Sequence, residues 1–349
     1  MTHQSILIWF RNDLRLHDHE GLSRALHSAP APVKIAAVYC YDPRQFALTQ
    51  WGFPKTGAVR ASFLKAAVDN LATNLRALGN RLWVTAGLPE VIIPQIASQI
   101  QARTVYFQRE VTQEEIRVEQ QLIQALLRHG IEAQGFWGTT LYHPDDLGMA
   151  LQDLPDLFTH FRQQVERQPI SVRPPFPTPQ CLPPSPSLEL TLPTPTVDWF
   201  PAIKTDPRGV MSFQGGETAG LTRLQDYIWQ NDRLKIYKET RNGMLGADYS
   251  SKFSPWLALG CLSPRLIYRE VKRYETERVS NESTYWLIFE LLWRDFFRFV
   301  AQKYGDRLFY ASGLRGVTVA WQWDQALFQC WQAGTTGYPL VDANLRELA

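Results

Sequence analysis

Cysteine is scarce in this chain. Cys40, Cys181, Cys261 and Cys330 are spread through 349 residues and form no C-x-x-C pair. Neither a cysteine-ligated zinc module nor a disulfide framework is suggested, and a reducing compartment is indicated. Long apolar runs are missing as well, so nothing predicts a bilayer span, and residues 1–4 do not lead into a signal peptide. The expectation is a soluble, cytoplasmic protein. Nor is there an excess of one charge: 36 Lys and Arg stand against 34 Asp and Glu. A net charge of +2 is too mild for an overtly basic nucleic-acid tail. No G-x-G-x-x-G stands at a strand–helix turn, so the dinucleotide fingerprint is absent.

What is present is apolar and aromatic. Hydrophobic residues make up 45% against 20% charged, which excludes intrinsic disorder. The length suits two domains. Eight of the 12 tryptophans lie after Pro195. The stretch from 223 to 315 also carries 16 Lys and Arg against 11 Asp and Glu. Aromatic excess and local positive charge thus coincide.

Residues 5–10, 33–41, 81–86 and 104–107 read as buried strands. Helical stretches at 21–28, 59–78, 89–101 and 113–129 lie between or after them, with Gly79 and Gly130 as stops. Repeated β-α-β units predict a parallel sheet with helices on both faces. Residues 169–207 hold 12 of the 23 prolines and read as an extended inter-domain connector, not a packed element. Beyond Gly215 the pattern is helical: 217–229, 255–259, 264–277 and 283–304. The expected architecture is an α/β domain over 1–168, a linker over 169–207 and an all-α domain over 208–349.

Two segments could carry chemistry. In the first, Ser254 before Pro255 has the character of an N-cap and first helical residue, with Ser250, Ser251 and Lys252 just ahead. Hydroxyls, a cation and free helix amides suit a phosphate or pyrophosphate, and an ordinary capped helix start fits the same residues. In the second, Glu290, Trp293, Arg294 and Phe297 recur at i, i+3, i+4 and i+7 and so share one helix face. That face suits a planar, polar ligand, the indole stacking on a base. A core aromatic stripe edged by a Glu290–Arg294 pair explains the spacing equally well.

Several longer strings add a resemblance. WFRNDLRLHDHEGL (9–22) resembles the opening of the photolyase/cryptochrome family. YKETRNG (237–243), DYSSKFSPWL (248–257) and ELLWRDFF (290–297) resemble its DASH-type cryptochrome branch, as do FQGGE (213–217) and TGYPLVDA (336–343). They occur in the family's order. The resemblance implies an α/β domain followed by a helical domain that holds FAD in a folded, U-shaped form. Tyr237, Ser250, Ser251, Lys252, Phe253 and Ser254 resemble the flavin's phosphate and ribityl contacts, and Arg294 a further cofactor contact. Glu290 and Trp293 resemble the pair that faces a damaged base, with Phe297 beside them against DNA. Trp321 stands where the family places the solvent-side tryptophan of its electron-transfer chain, with Trp323 the second choice. Glu110 resembles a carboxylate that contacts an antenna folate, 5,10-methenyltetrahydrofolate, although a solvated acid at a strand end fits it as well.

The function so implied is an FAD-dependent blue-light photoreceptor that binds DNA and acts in transcriptional regulation. The alternative is light-driven repair of cyclobutane pyrimidine dimers, mainly in single-stranded DNA, where the lesion leaves the stack more easily. The family pattern runs on past Ala349, where the chain stops inside a helical pattern without a cap, so the helical domain is expected in its N-terminal part only.

Overall fold

Strands buried on both faces must be apolar at nearly every position. β1 (Gln4–Phe10), β2 (Val33–Tyr41) and β4 (Ala102–Gln108) largely meet that demand, and β3 (Leu82–Ala86) does so in part. In the computed structural model, which describes residues 4–27, 33–168, 170–189, 191–203, 206–207 and 209–348, a fifth strand joins them. This is β5 (Glu132–Phe136), and the sheet is wholly parallel in the order β3-β2-β1-β4-β5. β5 was not expected from the sequence because EAQGF has no apolar run; it is a half-paired edge.

Helices cover both faces, as the β-α-β pattern predicts. α1 (Glu20–His27) and α2 (Ala58–Ala77) lie on one. α3 (Pro89–Gln99) and α4 (Gln113–Arg128) lie on the other, where Leu7, Trp9, Val38, Val105 and Phe107 meet Ile93, Ile96, Leu122 and Leu126 in one buried cluster. Gly79 and Gly130 stop α2 and α4 with φ of +83° and +68°. α5 (Phe158–Arg167), a helix the sequence reading passed over, follows the sheet.

The proline-rich segment is extended, as expected, but it is packed. The amide of Leu182 donates to the Leu78 carbonyl, Asn80 donates to the Pro183 carbonyl, and Ala86 at the β3 edge donates to the Pro193 carbonyl. Proline lacks an N–H yet keeps its carbonyl, so the strap closes this edge without extending the sheet. Trp199 stacks on Phe46 with ring centroids 4.6 Å apart.

The helical part comprises α6 (Glu217–Gln225), α7 (Tyr237–Thr240), α8 (Ser254–Ala258), α9 (Pro264–Glu277) and α10 (Glu282–Tyr304). The sequence suggests one helix over 217–229. In the structure α6 gives way to a π turn, Asp226–Gln230. A buried polar seam ties these helices to the sheet. Arg15 donates to the carbonyls of His17, Asp18, Gly138 and Gly260, and Asp18 pairs with Arg265 at 2.6 Å. Glu217 accepts from the amides of Leu16 and His17 and lies 2.5 Å from His17 Nδ1. Burial alone would raise this carboxyl, but His17 and the two amides hold it below the usual range.

All of this belongs to one compact unit, Met1–Gly305, and a second unit is Asp306–Ala349. The second contains α11 (Gln325–Gln332), capped by Asp324, and α12 (Pro339–Leu348). Asp342 binds the turn between them through Thr336 and Gly337.

Candidate functional site

The loop before α8 is organised by one buried arginine. Arg223 of α6 donates through Nε to the Ser251 carbonyl at 3.1 Å and through Nη1 to Asp248 at 2.8 Å. Its Nη2 reaches the carbonyls of Ala247 and Ser250. α6 can lie this deep because Gly215 precedes its N-cap, Gly216: a Cβ at Gly215 would sit 2.0 Å from the Phe63 carbonyl of α2. Lys252 takes φ +55° and lays its ammonium 3.8 Å from the Tyr249 ring centroid. Phe253 is buried edge-on to Tyr227. Ser251 is buried beside the Tyr237 phenol, which burial and the nearby Glu290 push up to about 12.

The start of α8 differs from expectation. Ser254 is the first helical residue, Phe253 holds the cap position, and no side chain caps the helix. Lys252 in the left-handed region brings the chain in one residue earlier than the Ser254-Pro255 pair suggests. Among the described residues, the amides of Ser251, Lys252, Phe253 and Ser254 therefore donate to nothing. The buried Tyr227 hydroxyl close by is also unpartnered. Orphaned donors facing one loop fit an anionic ligand and would satisfy a pyrophosphate.

α10 starts from a capping box at Asn281 and presents the second segment. Glu290 and Arg294 do not pair with each other. Glu290 is bound by Arg241 Nη1 at 2.7 Å, and the guanidinium of Arg241 lies over Trp286, whose buried Nε1 is unpartnered. Arg294 donates to the carbonyls of Thr139 and Leu257, and burial, with Arg298 adding, pushes it down to about 9. The next residue, Asp295, is fully buried and accepts from the amides of Leu141 and Tyr142 at 2.9 Å each. Burial raises its carboxyl to about 7 despite those bonds. Trp293 is half-buried and already stacked, 3.6 Å from Phe158 and 5.5 Å from Phe297 by ring centroids. Phe297 is 61% exposed, so it offers the accessible ring surface of this trio.

Glu110 is buried, not solvated. It accepts from Asn12 and Gln108, and Arg298 pairs with it at 3.1 Å. At the C-terminal ends of β1 and β2 a cleft of about 520 Å³ opens, lined by Trp9, Arg11, Tyr39, Tyr41, Arg44 and Arg60 among others. In the second unit Trp321 and Trp323 are both exposed. Trp323 contacts Phe328 at 5.2 Å, and Phe328 stacks on Trp331 at 5.8 Å.

The structure thus brings Tyr237, Ser251 and Glu290 into one neighbourhood and adds Arg223, Arg241 and Trp286, which sequence reasoning missed. For Arg223 a signal existed. It falls on the buried stripe of α6 with Gly220 and Leu224, where a charge is out of place.

Comparison with known proteins agrees with this architecture. Residues 6–180 match the family DNA photolyase, and residues 286–349 match the FAD binding domain of DNA photolyase. The chain belongs to the photolyase/cryptochrome family. The cryptochrome DASH of Synechocystis sp. is 65% identical over 344 residues, covering 99% of this chain and 70% of that protein. The Arabidopsis thaliana protein, cryptochrome DASH, chloroplastic/mitochondrial, is 47% identical over 98% of this chain and 60% of its own length. The crystal structure of the Synechocystis cryptochrome superposes with a TM-score of 0.95 at 64% identity, over all of this chain and 72% of the other. A class III photolyase from Agrobacterium tumefaciens, at 24% identity and a TM-score of 0.76, shares the fold. Within the family these relatives place the chain on the DASH-type branch, and the matched FAD-binding domain makes FAD its cofactor.

Proposed function

We propose that this chain is a flavin-dependent blue-light photoreceptor that binds DNA and acts in transcriptional regulation. One observation carries the reading: four free amides, Ser251 to Ser254, stand beside Tyr237 in a chain whose family binds FAD. Ser250, Ser251, Lys252, Phe253 and Ser254 would hold the flavin's phosphates, Tyr237 its ribityl side, and Arg294 a further anionic or carbonyl group. Bound there, FAD supplies blue-light absorption and one-electron chemistry. The helical part, 208–349, is the FAD-binding domain in this reading, 1–168 the antenna domain and 169–207 the strap between them.

Light-driven repair of cyclobutane pyrimidine dimers in single-stranded DNA is the second reading. It is favoured by the half-exposed Glu290 and the exposed Phe297 beside Trp293. Glu290 would hydrogen-bond an unstacked base, and the trio Phe158, Trp293 and Phe297 would support it by stacking. Trp321, with Trp323 the second choice, would pass electrons from solvent. Glu110 would contact a 5,10-methenyltetrahydrofolate antenna, after exchanging one of its present partners. A cytoplasmic setting, nucleoid-associated if bacterial, accords with DNA as the partner. No helix among the described residues is long and apolar enough to cross a membrane.

The deciding experiment illuminates dimer-containing oligonucleotides, single- and double-stranded, with the flavin-loaded chain. Dimer loss in the single-stranded substrate selects repair, and no loss with retained, salt-sensitive DNA binding selects the sensor. Purified chain with no flavin absorbance, even when supplied with FAD, would sink both.

A further inference from the structure

Arg223 is an arginine without an obvious task. It is 8% exposed, makes no contact with the residues expected to touch base or flavin ring, and directs its fork at one loop. Three of its four acceptors are backbone carbonyls: Ala247, Ser250 and Ser251. A trans peptide points its C=O and the following N–H in opposite directions. Carbonyls of Ser250 and Ser251 that converge on Arg223 therefore turn the amides of Ser251 and Lys252 away from it. Lys252 at φ +55° followed by Phe253 at φ −74°, ψ −12° is a left–right pair, which curls successive amides into one concavity.

We propose that Arg223 is the positioning residue for the cofactor's phosphates, an assignment that rests on the flavin reading above. It gathers the loop's carbonyls on one side so that the amides of Ser251 to Ser254 stand free on the other. Its charge also polarises those peptides. The 250–251 and 251–252 peptides have their negative ends at the guanidinium, which leaves their positive N–H ends turned to the concavity, as at a helix N-terminus. Asp248, the one carboxylate on the fork, balances that charge from a position 29% exposed, where water weakens it. The arginine thus acts on an anion it does not touch.

The test uses the full chain stripped of flavin and titrated with FAD, riboflavin and inorganic pyrophosphate. Riboflavin carries the ring and ribityl chain without phosphate. Arg223→Gln is expected to weaken FAD and pyrophosphate about 10- to 100-fold and leave riboflavin unchanged. Arg223→Lys, which restores the charge but not the fork, is expected to recover part of the loss. Equal losses for riboflavin and FAD, or unchanged pyrophosphate binding, would overturn the proposal. Should Arg223→Gln fail to fold, Asp248→Asn decides. It removes the balancing charge and keeps an amide oxygen for Arg223, so pyrophosphate should bind more tightly at low salt, and weaker binding contradicts the assignment. Wild-type chain that binds pyrophosphate in an Arg223-dependent way but binds no FAD would overturn the flavin reading while supporting Arg223 as the organiser of the anion site.

Discussion

Glu290 is held before any ligand arrives. Arg241 binds it at 2.7 Å, with about a third of each side chain exposed. Such a pair is worth no more than about 1 kcal/mol. Glu290→Gln should therefore barely move the unfolding midpoint, while dimer repair, if the chain performs it, drops sharply; a large stability loss would show that the residue is structural. Asp295 behaves in the opposite way. Its folded pKa is raised to about 7 by burial, so its ionisation is disfavoured in the folded state. The stability it confers is fully present when protonated, below the ordinary carboxylate range, and is lost as pH rises through about 7. The urea midpoint of wild type should accordingly fall relative to that of Asp295→Asn from about pH 4.5 to about pH 8. A wild-type midpoint that rises relative to the variant over that range would contradict the buried-carboxyl account.

At the scale of elements, the fold depends on close backbone approaches at its seam. Gly260 has φ +64°, and a Cβ there would sit 2.0 Å from the Asn12 carbonyl, in the segment that carries Arg15. Gly260→Ala should cost about 3 kcal/mol, combining left-handed strain with overpacking, as read by denaturant unfolding. An unchanged midpoint would mean that the seam can slide. This seam also explains what the sequence could convey. β1 and β2 were legible because burial on both faces demands an apolar run, and α9 because Ser263 and Pro264 mark its start. β5 was illegible because an edge strand tolerates EAQGF. The loop at Ser250 to Ser254 was legible in residue type, through its hydroxyls, but not in geometry. The Lys252 backbone turn shifts the helix start, the carbonyls just ahead of it are held by Arg223, and a sequence does not say that an arginine is buried. Arg241 and Glu290 are 49 positions apart, beyond any periodicity.

For the whole molecule, 16 cations stand against 11 anions from 223 to 315, and with Arg223, Arg265 and Arg294 buried it is the remaining cations that should meet DNA phosphates. DNA affinity should fall log-linearly with salt, at about 0.7 per phosphate contact on single strands. An affinity indifferent to salt would rule this surface out as the DNA-binding face. The aromatic excess of the same region divides by role: Trp256 and Phe253 build the loop's support, Trp293 is stacked in place, and Phe297, Trp321 and Trp323 stand exposed. The central claim is that this scaffold holds a photoactive flavin. The most direct measurement is the absorption spectrum of the FAD-supplied, dialysed chain before and after blue light under a thiol reductant. The account predicts retained flavin bands that bleach in the light and return in air. A chain that loses its flavin on dialysis, or keeps one whose spectrum light does not change, would contradict it.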